Sequence, residues 1–162
     1  MRYADITTCD IANGEGIGVV VWCQGCSLSC PGCQNPGTHL FSAGREFTGK
    51  EIELVLSELN RSQITRLTLS GGHPLEPANI VACLELCKQV KLRAPHVKIW
   101  CYTGWSFEDI KGLEIMKYLD ILVDGPYIDN MRDITLPWRG SPNQRVIDVQ
   151  TSLARNRVTL YE

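Results

Sequence analysis

Apolar and polar positions along the chain predict strands that alternate with helices. Short runs rich in β-branched residues predict buried strands at residues 18–23, 66–72, 97–104 and 120–125. Between them, apolar residues recur at helical spacing in residues 47–62, 74–93 and 107–119. Thr48, with Glu51 three residues later, predicts a capping box at the start of the first helix. Strands separated by helices of this length predict an α/β fold with parallel pairing.

The loops that follow these strands are where we expect the functional site. The first strand runs into a loop rich in cysteine, and the others end at Gly71-Gly72, Thr103-Gly104 and Asp124-Gly125. In parallel sheets and barrels the carboxyl ends of the strands meet at one edge, where sites gather. Residues 126–145 form a long predicted loop, and we expect this loop to shape or cover the entrance to the site.

Size, charge and composition narrow the classes of function. A chain of 162 residues, 44% hydrophobic and 21% charged, predicts one soluble domain spanning residues 1–162. The net charge is −2 and no basic stripe is present, so nucleic acid is not an expected partner. The first sixteen residues have no apolar signal segment. We therefore expect a cytoplasmic protein without a membrane partner, in which clustered thiols bind metal or do redox chemistry.

Four of the eight cysteines, Cys23, Cys26, Cys30 and Cys33, crowd into one short stretch. Zinc ribbons separate their cysteine pairs by about 12 to 20 residues, and bacterial ferredoxins space theirs differently. Without Cys23, the remaining C-x3-C-x2-C spacing is the signature of radical S-adenosylmethionine (SAM) enzymes. Three thiolates on one loop would hold three irons of a 4Fe-4S cluster and leave the fourth iron for SAM. A zinc site or a chance grouping of reduced cysteines is the alternative.

The sequence around these cysteines resembles one family along most of its length. "QGCSLSCPGCQNPGTH" is similar to the cysteine loop of glycyl-radical-enzyme activating enzymes, and "NGEG", "LTLSGGHPLEPANI", "IWCYTG", "LVDGPY" and "WRGSPNQR" extend the similarity. Within that family, the chain most resembles activators of anaerobic ribonucleoside-triphosphate reductase. The resemblance implies a partial, open TIM-like βα barrel of the radical SAM type with a mainly parallel sheet.

The resemblance also implies the reaction and its participants. A reduced 4Fe-4S cluster would cleave SAM to methionine and a 5'-deoxyadenosyl radical, which generates a glycyl radical on the reductase subunit. Flavodoxin or ferredoxin would donate the electron. The implied cluster ligands are Cys26, Cys30 and Cys33, and the implied SAM contacts are Gly32, Cys33, Gln34, Ser70, Gly71 and Gly72. The resemblance implies no catalytic residue beyond the cluster ligands, and no general acid or base.

Three positions depart from the family pattern. His73 stands where the family usually has Asp or Glu, Gln34 where it commonly has an aromatic residue, and Glu15 where it has a turn proline. We expect the backbone carbonyls of residues 70–72 to bind the SAM ammonium instead. A neutral His73 could accept one further hydrogen bond from it.

The other cysteines, and three rival functions, complete the sequence predictions. Cys83 and Cys87 lie on the apolar face of a predicted helix and are expected to pack in the core, while Cys9 and Cys101 are core or surface thiols. One rival is an activase of another glycyl-radical enzyme, and another is a small radical SAM enzyme such as 7-carboxy-7-deazaguanine synthase. From a different class, the rival is a non-catalytic zinc-binding interaction module.

Overall fold

The computed structural model describes residues 1–162 and contains one seven-stranded sheet flanked by four α-helices. The strands are β1 (Arg2–Asp10), β2 (Gly18–Cys23), β3 (Arg45–Glu46), β4 (Arg66–Gly71), β5 (Lys98–Tyr102), β6 (Ile121–Asp124) and β7 (Arg145–Asp148). The α-helices are α1 (Gly49–Leu59), α2 (Ile80–Arg93), α3 (Phe107–Ile110) and α4 (Val149–Arg155). Short 3-10 helices occupy Pro36–Thr38, Glu114–Lys117 and Asp129–Met131. None of the helices has the length and apolar composition that crossing a bilayer requires.

The strand order across the sheet is β3-β1-β2-β4-β5-β6-β7. The four central strands, β2, β4, β5 and β6, are parallel, whereas β1, β3 and β7 pair antiparallel at the margins. The predicted α/β class and parallel core are therefore confirmed. The sheet is open, with β3 and β7 at its two edges.

The helices begin and end where local chemistry requires. Before α1, the Thr48 hydroxyl accepts the Lys50 amide at 3.2 Å, and the Glu51 carboxylate accepts the Thr48 amide at 2.6 Å, which confirms the predicted capping box. The helix predicted over residues 74–93 instead starts at Ile80, because Pro77 cannot join a helical ladder and residues 74–79 form turns.

Further differences from the prediction concern weakly patterned segments. The helix predicted over residues 107–119 is divided into α3 and a separate 3-10 turn, because the chain is extended at Leu113. The strands β1, β3 and β7 and the helix α4 were not predicted. β1 mixes polar and apolar residues near the sheet edge, and β7 has only four residues, so neither has the continuous apolar run typical of a buried parallel strand.

The two faces of the sheet differ in what covers them. The helical face holds the main core, which includes the fully buried Cys23, Cys83, Cys87 and Cys101. Burial raises the pKa of Cys87 to about 12, so this thiol stays neutral and packs as a small apolar group, as predicted. The opposite face carries Trp100 and the buried Arg66, and loops rather than helices cover it.

Candidate functional site

A cleft of about 330 Å³ lies at the carboxyl ends of the four parallel strands. Each strand contributes to its wall through the loop that follows it. β2 leads into the cysteine loop, β4 ends at Ser70-Gly71-Gly72, β5 at Thr103-Gly104 and β6 at Gly125. The prediction that these loops meet at one edge is confirmed.

The structure brings most of the predicted site residues to this cleft. Cys26, Cys30 and Cys33 line it together with Gln34, Ser70, Gly71 and Gly72. All three thiols are free and partly buried, although their sulfur atoms are not gathered into a preformed metal-ligand group. Gly32 lies outside the lining. Cys23 also lies outside it, on the helical face, with its Sγ 3.7 Å from the Sγ of Cys83.

The cysteine loop is held in a compact, partly left-handed conformation. Ser29 and Gly32 have φ angles of 46° and 66°, and a Cβ atom on Gly32 would collide with the carboxylate of Asp129. The Asn35 amide donates to the Cys33 Sγ at 3.4 Å. Burial raises the pKa of the Cys26 thiol, while the backbone N–H groups of Leu28 and Ser29 oppose this shift. These N–H groups would stabilise a thiolate.

Glycine allows the end of β4 to approach this loop closely. The Gly72 amide donates to the Cys23 carbonyl at 2.8 Å, and the His73 amide donates to the Gly25 carbonyl at 2.9 Å. A Cβ atom on Gly72 would lie 2.6 Å from the Gly25 oxygen, so no larger residue fits there without a shift. The loop is therefore fixed to β4 by backbone contacts.

The composition of the cleft wall fits an iron–sulfur centre. Three soft sulfur donors face a cleft whose lining includes no Asp, Glu or Lys side chain, and Arg139 is its one charged residue. Thiolates are the ligands that iron–sulfur clusters use, whereas hard cations such as Mg²⁺ and Ca²⁺ prefer carboxylates. The donor set thus suits a cluster bound by sulfur.

His73 is tied into the protein on both sides of its ring. It is 1% exposed, with Nε2 2.7 Å from the Thr103 Oγ1 and Nδ1 3.4 Å from the Glu76 Oε1, and its ring packs edge-on against Trp105. His73 lines the cleft, and both of its ring nitrogens have protein partners, so a hydrogen bond from His73 to a ligand stays a prediction. Burial lowers the pKa of His73 despite the opposing effect of Glu76, which favours the neutral ring.

Acidification should therefore destabilise the protein through His73. Because its pKa is lower in the folded than in the unfolded protein, the stabilisation is complete above about pH 6.5 and is lost as pH falls through the folded value. We expect His73→Gln to lose less stability than wild type between pH 7.5 and 5.5. The free energy of unfolding of wild type should fall more steeply than that of the variant, by at most about 1.4 kcal/mol per pH unit. It is measured by urea unfolding with reduced thiols. Equal losses in the two proteins would contradict this assignment.

Two parts of the cleft wall carry residues that the sequence patterns missed. Ala12 and Asn13 reach the cleft from the turn after β1, which is fixed by the fully buried Arg66. The sequence signals were the family similarity of "NGEG" at this turn and a charged residue, Arg66, at the start of a buried strand. Tyr102 also lines the cleft, and its hydroxyl donates to the Trp138 carbonyl at 2.7 Å.

The segment "WRGSPNQR" folds back against the end of β6. The Gln144 side chain accepts the Gly140 amide at 2.9 Å and donates to the Gly125 carbonyl at 3.2 Å, while Arg139 donates to the Gln144 carbonyl at 2.8 Å. Trp138 has a φ of 60° and packs edge-on against Trp100. The long loop predicted after β6 therefore forms an ordered wall of the cleft.

Comparisons with known proteins assign the chain to a class and then to a family. Residues 12–147, which include the cysteine loop and all of the residues that line the cleft, match the family described as a 4Fe-4S single cluster domain. The fold and cleft are thus those of an iron–sulfur protein.

Relatives that are similar over nearly their whole length narrow the class. An anaerobic ribonucleoside-triphosphate reductase-activating protein of Enterobacteria phage T4 is 44% identical over 90% of this chain and 93% of its own. Proteins with the same description from Vibrio cholerae and Escherichia coli are 36% and 33% identical over 89% and 90% of this chain, covering 96% and 97% of their own. The chain belongs to this family of activating proteins.

Proposed function

We propose that the chain is a radical SAM activase that generates a glycyl radical on an anaerobic ribonucleoside-triphosphate reductase. The observation that carries the proposal is the C-x3-C-x2-C triplet lining a cleft in a chain of this family. A 4Fe-4S cluster in the cleft would supply one electron to cleave SAM into methionine and a 5'-deoxyadenosyl radical, which takes a hydrogen atom from a glycine Cα of the reductase.

The chain's own residues would bind and orient the reactants. Cys26, Cys30 and Cys33 would hold the cluster, and the close-packed Ser70-Gly71-Gly72 backbone would face the methionine part of SAM. Gln34, which lines the same cleft, would lie beside the adenine. Gly32 would act by turning the cysteine loop, as its left-handed φ and its contact with Asp129 suggest.

The remaining participants follow from the same proposal. The open sheet would serve as a partial barrel, with its loop-covered face as the interior, in one unit spanning residues 1–162. The protein partners would be the glycyl-radical subunit of the reductase and a flavodoxin or ferredoxin. We propose a cytoplasmic location, without a nucleic-acid or membrane partner.

Electron paramagnetic resonance tests the proposal directly. The anaerobically reconstituted protein is mixed with a candidate reductase, SAM and a chemical reductant. A glycyl-radical doublet that requires SAM and this protein is the expected result. A colourless protein that binds zinc, or SAM cleavage without any radical on the reductase, would contradict the proposal.

The exposed tip of the loop after β6 should contribute to recognition of the reductase. Ile134 is 84% exposed and lies two residues before Leu136, which lines the cleft. We expect Ile134→Ser to weaken glycyl-radical formation several-fold while uncoupled SAM cleavage stays near the wild-type rate, because apolar contact area is lost only in the complex. The two rates are measured in parallel, with and without reductase.

Leu92→Ser is the matched control for this prediction. Leu92 is 75% exposed on α2, a helix that packs on the helical face of the sheet. Both rates should be unchanged in this variant. If Leu92→Ser and Ile134→Ser weaken activation equally, the loop tip has no special part in recognition.

A further inference from the structure

Glu76 is a buried carboxylate held against the cysteine loop. It is 5% exposed, and its Oε1 accepts hydrogen bonds from the Ser27 amide at 2.9 Å and the Ser27 hydroxyl at 2.5 Å. Ser27 directly follows Cys26 in the chain. A negative charge on Glu76 would therefore lie one residue from a proposed cluster ligand.

The hydrogen-bond network around Glu76 favours its ionised form. Burial raises the pKa of Glu76, but hydrogen bonds from Ser27 and His73 outweigh it and lower the pKa overall. An ionised carboxylate only accepts, so the neutral His73 ring is assigned to accept the Thr103 hydroxyl proton at its Nε2, 2.7 Å away. This assignment leaves the proton of the neutral ring on Nδ1, which faces the Glu76 Oε1 at 3.4 Å. Glu76 thus receives only donors, and hydrogen bonds of this kind favour a carboxylate over a carboxylic acid.

The negative charge of Glu76 is not cancelled within this network. Its ring partner, His73, is neutral, and Ser27 contributes dipoles rather than a cation. The charge lies close to the nearest proposed ligand, because the Glu76 carboxylate accepts the amide of Ser27, the residue that follows Cys26. The loop therefore carries a fixed negative charge beside its first cluster ligand.

We propose that Glu76 sets the charge beneath the cysteine loop and lowers the reduction potential of the cluster. This inference rests on the proposed function, because it concerns a cluster at Cys26, Cys30 and Cys33. An electron added to the cluster is repelled by a nearby carboxylate in a medium of low dielectric constant. The reduced cluster is then a stronger reductant, which suits the one-electron cleavage of SAM.

A redox titration of the reconstituted full chain tests this role without relying on catalysis. The cluster signal is followed by electron paramagnetic resonance at a series of potentials, in the absence of SAM. We expect Glu76→Gln, which keeps the side-chain shape and removes the charge, to bind as much iron as wild type and to show a more positive midpoint potential. An unchanged midpoint in Glu76→Gln would overturn the proposal.

The matched control is Glu85→Gln, which removes an exposed carboxylate of α2 that accepts only the Gln89 side chain. Its midpoint should equal that of wild type. A shift as large as that of Glu76→Gln would indicate a general effect of net charge and would overturn the proposal.

Ser27→Ala tests the same idea in the opposite direction. It removes one donor to Glu76 and leaves the carboxylate less compensated, so the midpoint should become more negative. This variant decides the question if Glu76→Gln loses its iron, because a positive or absent shift in Ser27→Ala contradicts the proposal. Failure of the wild-type chain to bind any cluster would instead refute the proposed function.

Discussion

Serine at Cys26, Cys30 or Cys33 is expected to abolish SAM cleavage in each single variant. A serine hydroxyl is a hard, weakly acidic group and a poor ligand for an iron–sulfur cluster, so the cluster should be lost or unstable. The three thiols line the same cleft, which is why each should be indispensable. Iron and sulfide content, the visible absorption of the anaerobically reconstituted proteins and the rate of SAM cleavage measure the effect. Wild type should carry about four irons per chain.

Cys23→Ser is the matched control because Cys23 belongs to the same sequence cluster but not to the same site. Its side chain is fully buried on the helical face of the sheet, beside the thiol of Cys83. We expect this variant to retain its iron and most of its SAM cleavage, with a modest loss of stability from placing a hydroxyl in the core. If Cys23→Ser is as inactive as the other three variants, a four-thiolate site is the better assignment.

The sequence predicted those parts of the site that local pattern determines. The strand β2 is a continuous apolar run, and β4 combines two leucines with small polar residues before its glycines; both are short, buried segments that are recognisable without tertiary information. Parallel pairing then places their carboxyl ends at one edge, which is why the cysteine loop and Ser70-Gly71-Gly72 were correctly expected at one cleft.

The parts that sequence patterns missed depend on contacts between distant segments. His73 lines the cleft, but its Nε2 is held by Thr103, thirty residues away in the chain, and this contact was not predicted. Glu76 was not predicted as a site residue, because the hydrogen bond that holds it against the cysteine loop comes from Ser27, which is 49 residues away. Spacing rules describe neighbours along one helix, strand or loop, so they cannot identify such partners.

Arg66 stabilises the fold through contacts with a distant segment, which sequence patterns also did not identify. It begins a central strand, is 0% exposed, and uses its guanidinium to bind the turn after β1. It donates to the carbonyl oxygens of Asp10 at 2.9 Å, Asn13 at 2.7 Å and Glu15 at 3.3 Å, to the Asp10 carboxylate at 2.8 Å, and to the Thr68 hydroxyl. This turn carries Asn13 to the cleft, so Arg66 connects the sheet interior to the site.

We expect Arg66→Met to destabilise the protein by about 3–5 kcal/mol, because the turn keeps its buried acceptors and loses their shared donor. For a chain of this size the melting temperature should fall by roughly 6–20 °C, measured by circular dichroism under anaerobic conditions.

The pH dependence of stability supplies a second measurement of the same contact. Burial raises the pKa of Asp10, but hydrogen bonds led by that from Arg66 outweigh it and lower the pKa overall. Wild type should therefore lose this part of its stability as pH falls below about 4, and Arg66→Met should lose less.

Arg61→Met separates the loss of this buried network from the loss of any arginine. The Arg61 side chain is 45% exposed and pairs with Glu58 at 2.8 Å on the protein surface, where an ion pair adds little to stability. Arg66→Lys should fall between the two methionine variants, because one ammonium group keeps the charge but cannot reach all the acceptors that the planar guanidinium binds. A melting temperature for Arg66→Met close to that of Arg61→Met would mean that the turn after β1 is held by its other contacts.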